Sequence, residues 1–151
     1  MAMTMKGEVV LAADRETVWA KLNDPEILKV SVPGCQELEQ VGDNAFRATV
    51  KIKVGPVGAT FKGAVELKDM DPPNGYRIVG QGEGGIAGFA KGGARVELSD
   101  TVEPAGGCLL RYEVEADVGG KIAQLGNRLI NGVASKTAEQ FFANFAAAIT
   151  T

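Results

Sequence analysis

The C-terminal stretch from Gly119 to Thr150 constrains this fold more than any other part of the chain. Apolar side chains recur there at steps of three and four, through Ile122, Leu125, Leu129, Ile130, Val133, Phe141, Phe142 and Phe145. That spacing predicts one long helix with a single buried side. At ~1.5 Å per residue it would run roughly 45 Å, more than a small domain needs to cap a sheet. The stripe does not stay in line. In projection Ile122, Leu125 and Leu129 are continued by Lys136 and Gln140, whereas the apolar side of the second half runs through Ile130, Ala134, Phe141 and Phe145. The buried face therefore turns near Gly126 and Gly132, and a glycine inside a helix costs roughly 0.5–1 kcal/mol relative to alanine. Either these glycines permit close packing or a bend, or they make room for a ligand beside the first half.

Most of the preceding chain repeats with a period of two. Met5–Leu11 reads as a first strand, followed by Asp14 in an N-cap position ahead of Val18 and Leu22 at i, i+4 spacing. Pro25 opens a second short helix through Ile27, Leu28 and Val30, which must end by Ser31 because Pro33 follows closely. Strands are predicted over Gln36–Val41, Ala45–Val54, Val57–Met70, Tyr76–Glu83, Ile86–Ser99 and Leu109–Asp117. Phe46, Ala48, Val50, Ile52 and Val54 alternate with Arg47, Thr49, Lys51 and Lys53, the pattern of a sheet buried on one face. Asp71–Gly75 and Pro104–Gly107 read as turns. The order is strand, two short helices, about six antiparallel strands and one long helix. A curved sheet of that size grips the helix, giving an α+β fold in one domain over residues 1–151.

Several function classes fall away. The sequence has no histidine, and its two cysteines, Cys35 and Cys108, lack metal-ligand spacing, so structural zinc and Ser-His-Asp or Cys-His catalysis are not expected. A net charge of −3 offers no basic nucleic-acid surface. No secretory segment or apolar run of membrane-spanning length is visible, and two unpaired thiols suit a reducing cytoplasm. Gly80–Gly85 fails as a phosphate cradle because its spacing is wrong, Glu83 interrupts it and a strand follows. Glycines facing inward from a strand mark either a bend or a place where volume is left empty. Acid–base candidates are thin. Glu66, Glu97, Glu113 and Glu115 fall on the outward face, Glu83 and Asp117 lie near strand ends, and Tyr112 is the one inward-facing strand hydroxyl identified. Cys35 has no base beside it.

The chain resembles the polyketide cyclase/START-like superfamily with the helix-grip fold, and within it the carbon monoxide dehydrogenase G-subunit family. The segments that carry the resemblance are Met5-Lys6-Gly7, residues 18–28 with Asn23-Asp24-Pro25, and Val32-Pro33-Gly34-Cys35. Val54–Val57, Phe61-Lys62-Gly63, Gly80-Gln81-Gly82, Gly88–Gly92 and Gly119–Gly126 complete it, so it spans almost the whole length. It implies a hydrophobic cavity between sheet and helix, and a role beside molybdenum hydroxylases of the carbon monoxide dehydrogenase type. Members of this family are described as tethering or maturing that enzyme at the membrane and as binding a quinone. Some carry a C-terminal hydrophobic anchor. This sequence ends at Thr151 without one, which fits either a shorter member or a truncated one.

The leading expectation is a non-enzymatic protein without cofactor that holds a quinone or lipid-like molecule. It would work in the cytoplasm or at the inner face of the cytoplasmic membrane. Its expected lining is Leu22, Val32, Phe61, Phe89, Tyr112, Leu125 and Leu129. The alternatives are an assembly or docking factor that uses the glycine-rich loop, and, ranked lowest, a cyclase or hydratase using Tyr112 or a carboxylate such as Glu83.

Overall fold

The computed structural model describes residues 2–102 and 105–149. Strand β1 (Ala2–Leu11) leads through α1 (Arg15–Leu22) and α2 (Pro25–Ser31) into β2 (Cys35–Gly42). Then follow β3 (Ala45–Val54), β4 (Val57–Asp71), β5 (Gly75–Glu83), β6 (Phe89–Asp100), β7 (Cys108–Gly119) and α3 (Asn127–Ile149). The seven strands form one antiparallel sheet in the order β1-β7-β6-β5-β4-β3-β2, so the chain's first strand pairs with its last. The expected turn at Pro104–Gly107 includes Pro104, which lies outside the described residues.

Local chemistry sets the short helices. The Asp14 carboxylate accepts from the Thr17 amide at 2.7 Å, and hydrogen bonding from the Thr17 hydroxyl and then its amide holds the carboxyl below the usual range; Asp24 accepts from the Glu26 amide at 3.0 Å. Pro25 occupies the first turn of α2, and the helix stops at Ser31 as Pro33 requires. Trp19 packs α1 down by meeting Tyr76 edge-on, ring centroids 5.3 Å apart.

Two sequence expectations are corrected. The long helix does not begin after Gly119. Residues Lys121–Leu125 form a 3-10 turn between Gly120 and Gly126, whose φ angles of 83° and 93° lie in the left-handed region that ends helices. The α-helix is therefore 23 residues, roughly 35 Å at ~1.5 Å per residue. A 3-10 turn also brings residues i and i+3 together, so the Ile122/Leu125 spacing suits either structure. Likewise Gly85–Ala87 is a 3-10 turn, and β6 starts at Phe89 rather than Ile86.

The inward face buries two separate clusters rather than one. The larger joins Leu11, Val18, Leu22, Phe46, Leu67, Tyr76, Val96, Leu98 and Leu110 to Phe145, with Phe141, Phe142 and Tyr112 packed against them. The smaller, toward the other end of α3, joins Val54, Phe61, Ala87, Val118 and Ile122 to Ile130, with Leu125 and Val133 against them.

Candidate functional site

What separates the clusters is a band of small residues. Cross-strand register aligns Ala48, Gly63, Gly82 and Ala90 in one inward row, and Gly80, Gly92 and Ala116 in the next. Opposite them, α3 carries Ala134, Thr137 and Ala138 between the Ile130/Val133 step and Phe141; both alanines are half-buried and Thr137 is exposed. A floor and roof this short leave unfilled space unless the backbones close up. The inward-facing Ile52 and Val65 each retain 37% of their exposure, as does Leu129 on α3.

The glycines of the floor have a second cause. A side chain at Gly63 would approach the Gln81 carbonyl oxygen to 2.9 Å, and one at Gly92 would overlap the Glu115 carbonyl. A side chain at Gly80 would meet a Val65 methyl at 2.7 Å and the Ala64 carbonyl at 3.1 Å. These positions are glycine because the sheet bends tightly there. Gly82 differs, with nothing nearer than 3.8 Å. Curvature demands glycine along these rows, and at Gly80 the Val65 side chain already lies over the space a Cβ would take.

The helix α3 is held asymmetrically on the sheet. On the β1 side α3 sits close: the Ser135 hydroxyl donates to the Met5 sulfur at 3.7 Å, and Phe142 stacks on Tyr112 with centroids 5.3 Å apart. On the β3 side it is held at its two ends, where Leu129 reaches the turn at Gly55 and Asn144 bonds α2.

The seven expected lining residues are distributed over this frame. Leu22 and Tyr112 belong with the larger cluster, Phe61 and Leu125 with the smaller, and Leu129 is partly exposed beside the turn at Gly55. Val32 is half-buried just past α2. Phe89 is exposed and lays its ring over Gly119 on the outward face. The sequence reading did not pick out Met3 and Met5, whose alternation with Gly7, Val9 and Leu11 carried the signal. It also passed over Tyr76, a second inward-facing strand hydroxyl, whose phenol burial pushes far above its ordinary range.

Two shallow concavities, about 460 and 1180 Å³, lie on the outward face of the sheet. Their walls include Lys6, Glu8, Arg95, Glu113, Glu115 and Asp117, and no residue of α3 lines either. Opposite charges face one another there across neighbouring strands, as in the Arg111–Glu8 pair at 3.3 Å.

Glu83 and Asp117 are exposed, and Tyr112 faces an aromatic ring. Desolvation pushes both the Cys35 and Cys108 thiols up, away from the reactive thiolate. Among the described residues no group of three His, Cys, Asp or Glu side chains could hold a metal ion, and no helix is long and apolar enough to cross a membrane.

A curved antiparallel sheet wrapped on a long C-terminal helix, with two short helices after the first strand, defines the START-like helix-grip class. A START superfamily protein from Mycobacterium smegmatis superposes with a TM-score of 0.72 at 14% identity, covering 97% of each chain. The Zhui aromatase/cyclase from a Streptomyces species gives 0.69 at 14% identity, covering 99% of this chain and 94% of that one. Such distant likeness carries the fold alone. A conserved protein from Geobacillus kaustophilus is nearer, with a TM-score of 0.91 and 32% identity over 98% of this chain and 95% of its own. No curated protein matches the sequence. The model of the carbon monoxide dehydrogenase G-subunit (CoxG) family matches residues 7–150, and the chain belongs to that family.

Proposed function

We propose that this chain is a non-enzymatic carrier that holds an apolar molecule, a quinone or another lipid, between α3 and the sheet. It would serve a molybdenum hydroxylase of the carbon monoxide dehydrogenase type. The observation that supports the reading is the division of the buried core into two clusters, with the small residues of the Gly63–Gly82 and Gly80–Gly92 rows on the sheet and Ala134 and Ala138 on the helix between them. A protein of this size gains nothing by splitting its core, and the lost contacts are recovered when a ligand fills the space. The walls are hydrocarbon and thioether, with Met3 and Met5 able to adapt to an occupant. Burying ~300 Å² of ligand surface at ~25 cal/mol per Å² supplies roughly 7 kcal/mol before the costs of association. The family name supports the link to the enzyme.

The test is extraction. Protein purified without detergent is extracted with organic solvent, and the stripped protein is titrated with decylubiquinone and with an environment-sensitive apolar dye such as 1-aminoanthracene. A co-purified quinone or lipid, and saturable binding to the stripped protein, are expected. Protein that arrives empty and binds neither probe would sink the carrier reading.

A second reading has its own support. Ile86, at the tip of the 3-10 turn before β6, is 91% exposed while its neighbour Ala87 is buried in the smaller cluster. An apolar side chain held out by an anchored turn suits a docking contact with the enzyme. If docking is the whole function, Ile86→Asp abolishes co-purification with the hydroxylase, and filling the hollow by Gly82→Leu does not.

A further inference from the structure

The two edges of the sheet are finished differently. At one edge, β2 is interrupted by register shifts between Cys35 and Glu37 and between Gln40 and Gly42, and α2 packs against it. Bulges and a covering helix keep an edge strand from pairing with another chain. At the other edge, β1 has neither. Its register against β7 runs unbroken from Ala2 to Leu11. It contains no proline, and its inward side, where Met3, Met5, Gly7, Val9 and Leu11 stand, carries no charge. Helix α3 reaches β1 over that inward face, through the Ser135 hydroxyl on the Met5 sulfur. Among the described residues no backbone hydrogen bond joins β1 to any element besides β7. Alternate amides and carbonyls of a long strand therefore point out along the edge.

Symmetry constrains what pairs there. Two copies joined edge to edge about a two-fold axis make an antiparallel ladder, in which inward residues must meet inward residues. The residue on the axis then faces its own counterpart, and only an axis at Lys6 or at Gly7 engages nearly the whole strand. An axis at Lys6 sets that lysine against itself. An axis at Gly7 sets Lys6 of each copy opposite Glu8 of the other, and Thr4 opposite Val10. On the inward side it matches Met5 with Val9 and Met3 with Leu11. Unlike charges, β-branched residues and apolar residues each meet their own kind of partner, the pairs that stabilise a sheet. Val10, 54% exposed in the single chain, gains cover, as do the half-buried Met5 and Val9.

We infer that β1 is the docking edge for a second copy of this chain, paired antiparallel about Gly7. A lone lysine on an edge strand ordinarily guards against such pairing. Here the glutamate two positions further on converts that guard into a choice of register. The Lys6 ammonium makes no ion pair among the described residues. Glu8 meets Arg111 through its Oε2 at 3.3 Å, which leaves Oε1 for the lysine across the axis. The dimer runs two sheets into one, with both long helices on the same face. A ladder of ~30 Å, at ~3.4 Å per residue, lies at the small end of specific interfaces, so micromolar association is expected.

Sedimentation velocity on the full chain, from about 1 to about 500 µM, is the test, and a monomer–dimer equilibrium is expected. Lys6→Glu sets carboxylates opposite one another at both symmetric pairs, and Glu8→Lys sets ammoniums there. Each variant alone should raise the dissociation constant about tenfold. Mixing the two single variants in equal amounts puts unlike charges at every such pair. The mixture should dimerise as tightly as wild type, which also shows that both variants fold. Thr4→Cys mixed with Val10→Cys should give a covalent heterodimer on mild oxidation, more than either variant alone, because facing strand positions lie within disulfide reach. A chain that stays monomeric throughout the range overturns the inference. So does a dimer indifferent to both charge reversals, one that the mixture fails to restore, or a cysteine pair that does not cross-link.

Discussion

Asn144, near the end of α3, donates its side-chain amide to the backbone carbonyl of Ser31, the last residue of α2, at 3.1 Å. Ser31 is fully buried, and its own hydroxyl is committed to the Ile27 carbonyl at 2.7 Å. One side chain thus satisfies a helix-terminal carbonyl that water cannot easily reach, and it ties the short helices to the long one. Asn144→Ala removes the donor and leaves that carbonyl unpaired. The gain in helix propensity offsets part of the loss, so a net cost of about 1–2 kcal/mol is expected. Urea unfolding should show a lower midpoint at an unchanged slope, since the surface exposed on unfolding does not change.

The two glycines of the C-terminal segment respond to alanine in opposite directions. Gly126 has φ 93° and Gly132 lies inside α3, and a Cβ at either position meets no other atom within 4 Å. Crowding is therefore absent from both, and only the backbone decides. Gly126→Ala forces an L-residue into the left-handed region and should cost about 1–2 kcal/mol. Gly132→Ala lowers the entropy of the unfolded chain at a helical position and should stabilise by roughly 0.5–1 kcal/mol. Thermal melts of the two variants against wild type give the signs directly. Two shifts in the same direction would refute the placement of the helix start at Asn127.

Period-two alternation made the strands legible, because burial on one face leaves its mark in every second residue of β3, β4 and β7. Asp14, Pro25 and Pro33 fixed the short helices by capping and by steric exclusion. The break at Gly126 was not legible, since a step of three between Ile122 and Leu125 serves a 3-10 turn as well as an α-helix. The expected rotation of the apolar face within one helix is instead a change of element, from the 3-10 turn at Lys121–Leu125 to the α-helix that starts at Asn127. The site was harder to read. Phe61, Leu125 and Tyr112 look alike in sequence, and register alone sends them to different clusters. Phe89 is apolar in a strand, but alternation from Ala90 and Gly92 places it outside. Gly82 and Gly92 cannot be told apart without knowing how near the neighbouring strand approaches.

That difference is open to test. At Gly92 an added Cβ would overlap the Glu115 carbonyl and crowd the Ala116 Cα at 2.7 Å, both of them backbone of β7 that cannot move aside alone. At Gly82 the nearest atom is the Lys62 carbonyl oxygen at 3.8 Å, ordinary contact. Gly92→Ala is expected to cost at least about 2–3 kcal/mol, within the range of overpacked core sites. Gly82→Ala should change stability by less than about 0.5 kcal/mol and weaken 1-aminoanthracene binding, because its methyl enters the hollow. Equal destabilisation by both substitutions would mean that the floor is packed throughout.

Tyr76 gives the fold a pH dependence of known sign. It is buried at the start of β5 under Trp19, and desolvation raises its phenol above the ordinary value near 10. The folded chain therefore keeps the proton at a pH where the unfolded chain has released it. Its contribution is intact below the unfolded value and falls as pH rises beyond about 10, at up to ~1.4 kcal/mol per pH unit, until the folded value is reached. Tyr76→Phe removes this titration and leaves every other one in place, so lysine and thiol effects cancel in the comparison. Urea unfolding of the two proteins should give a constant difference from pH 8 to 9.5 and a steady relative gain for the variant above it. Parallel curves up to pH 11 would show that water reaches the phenol and that the Trp19–Tyr76 contact does not seal this end of the core.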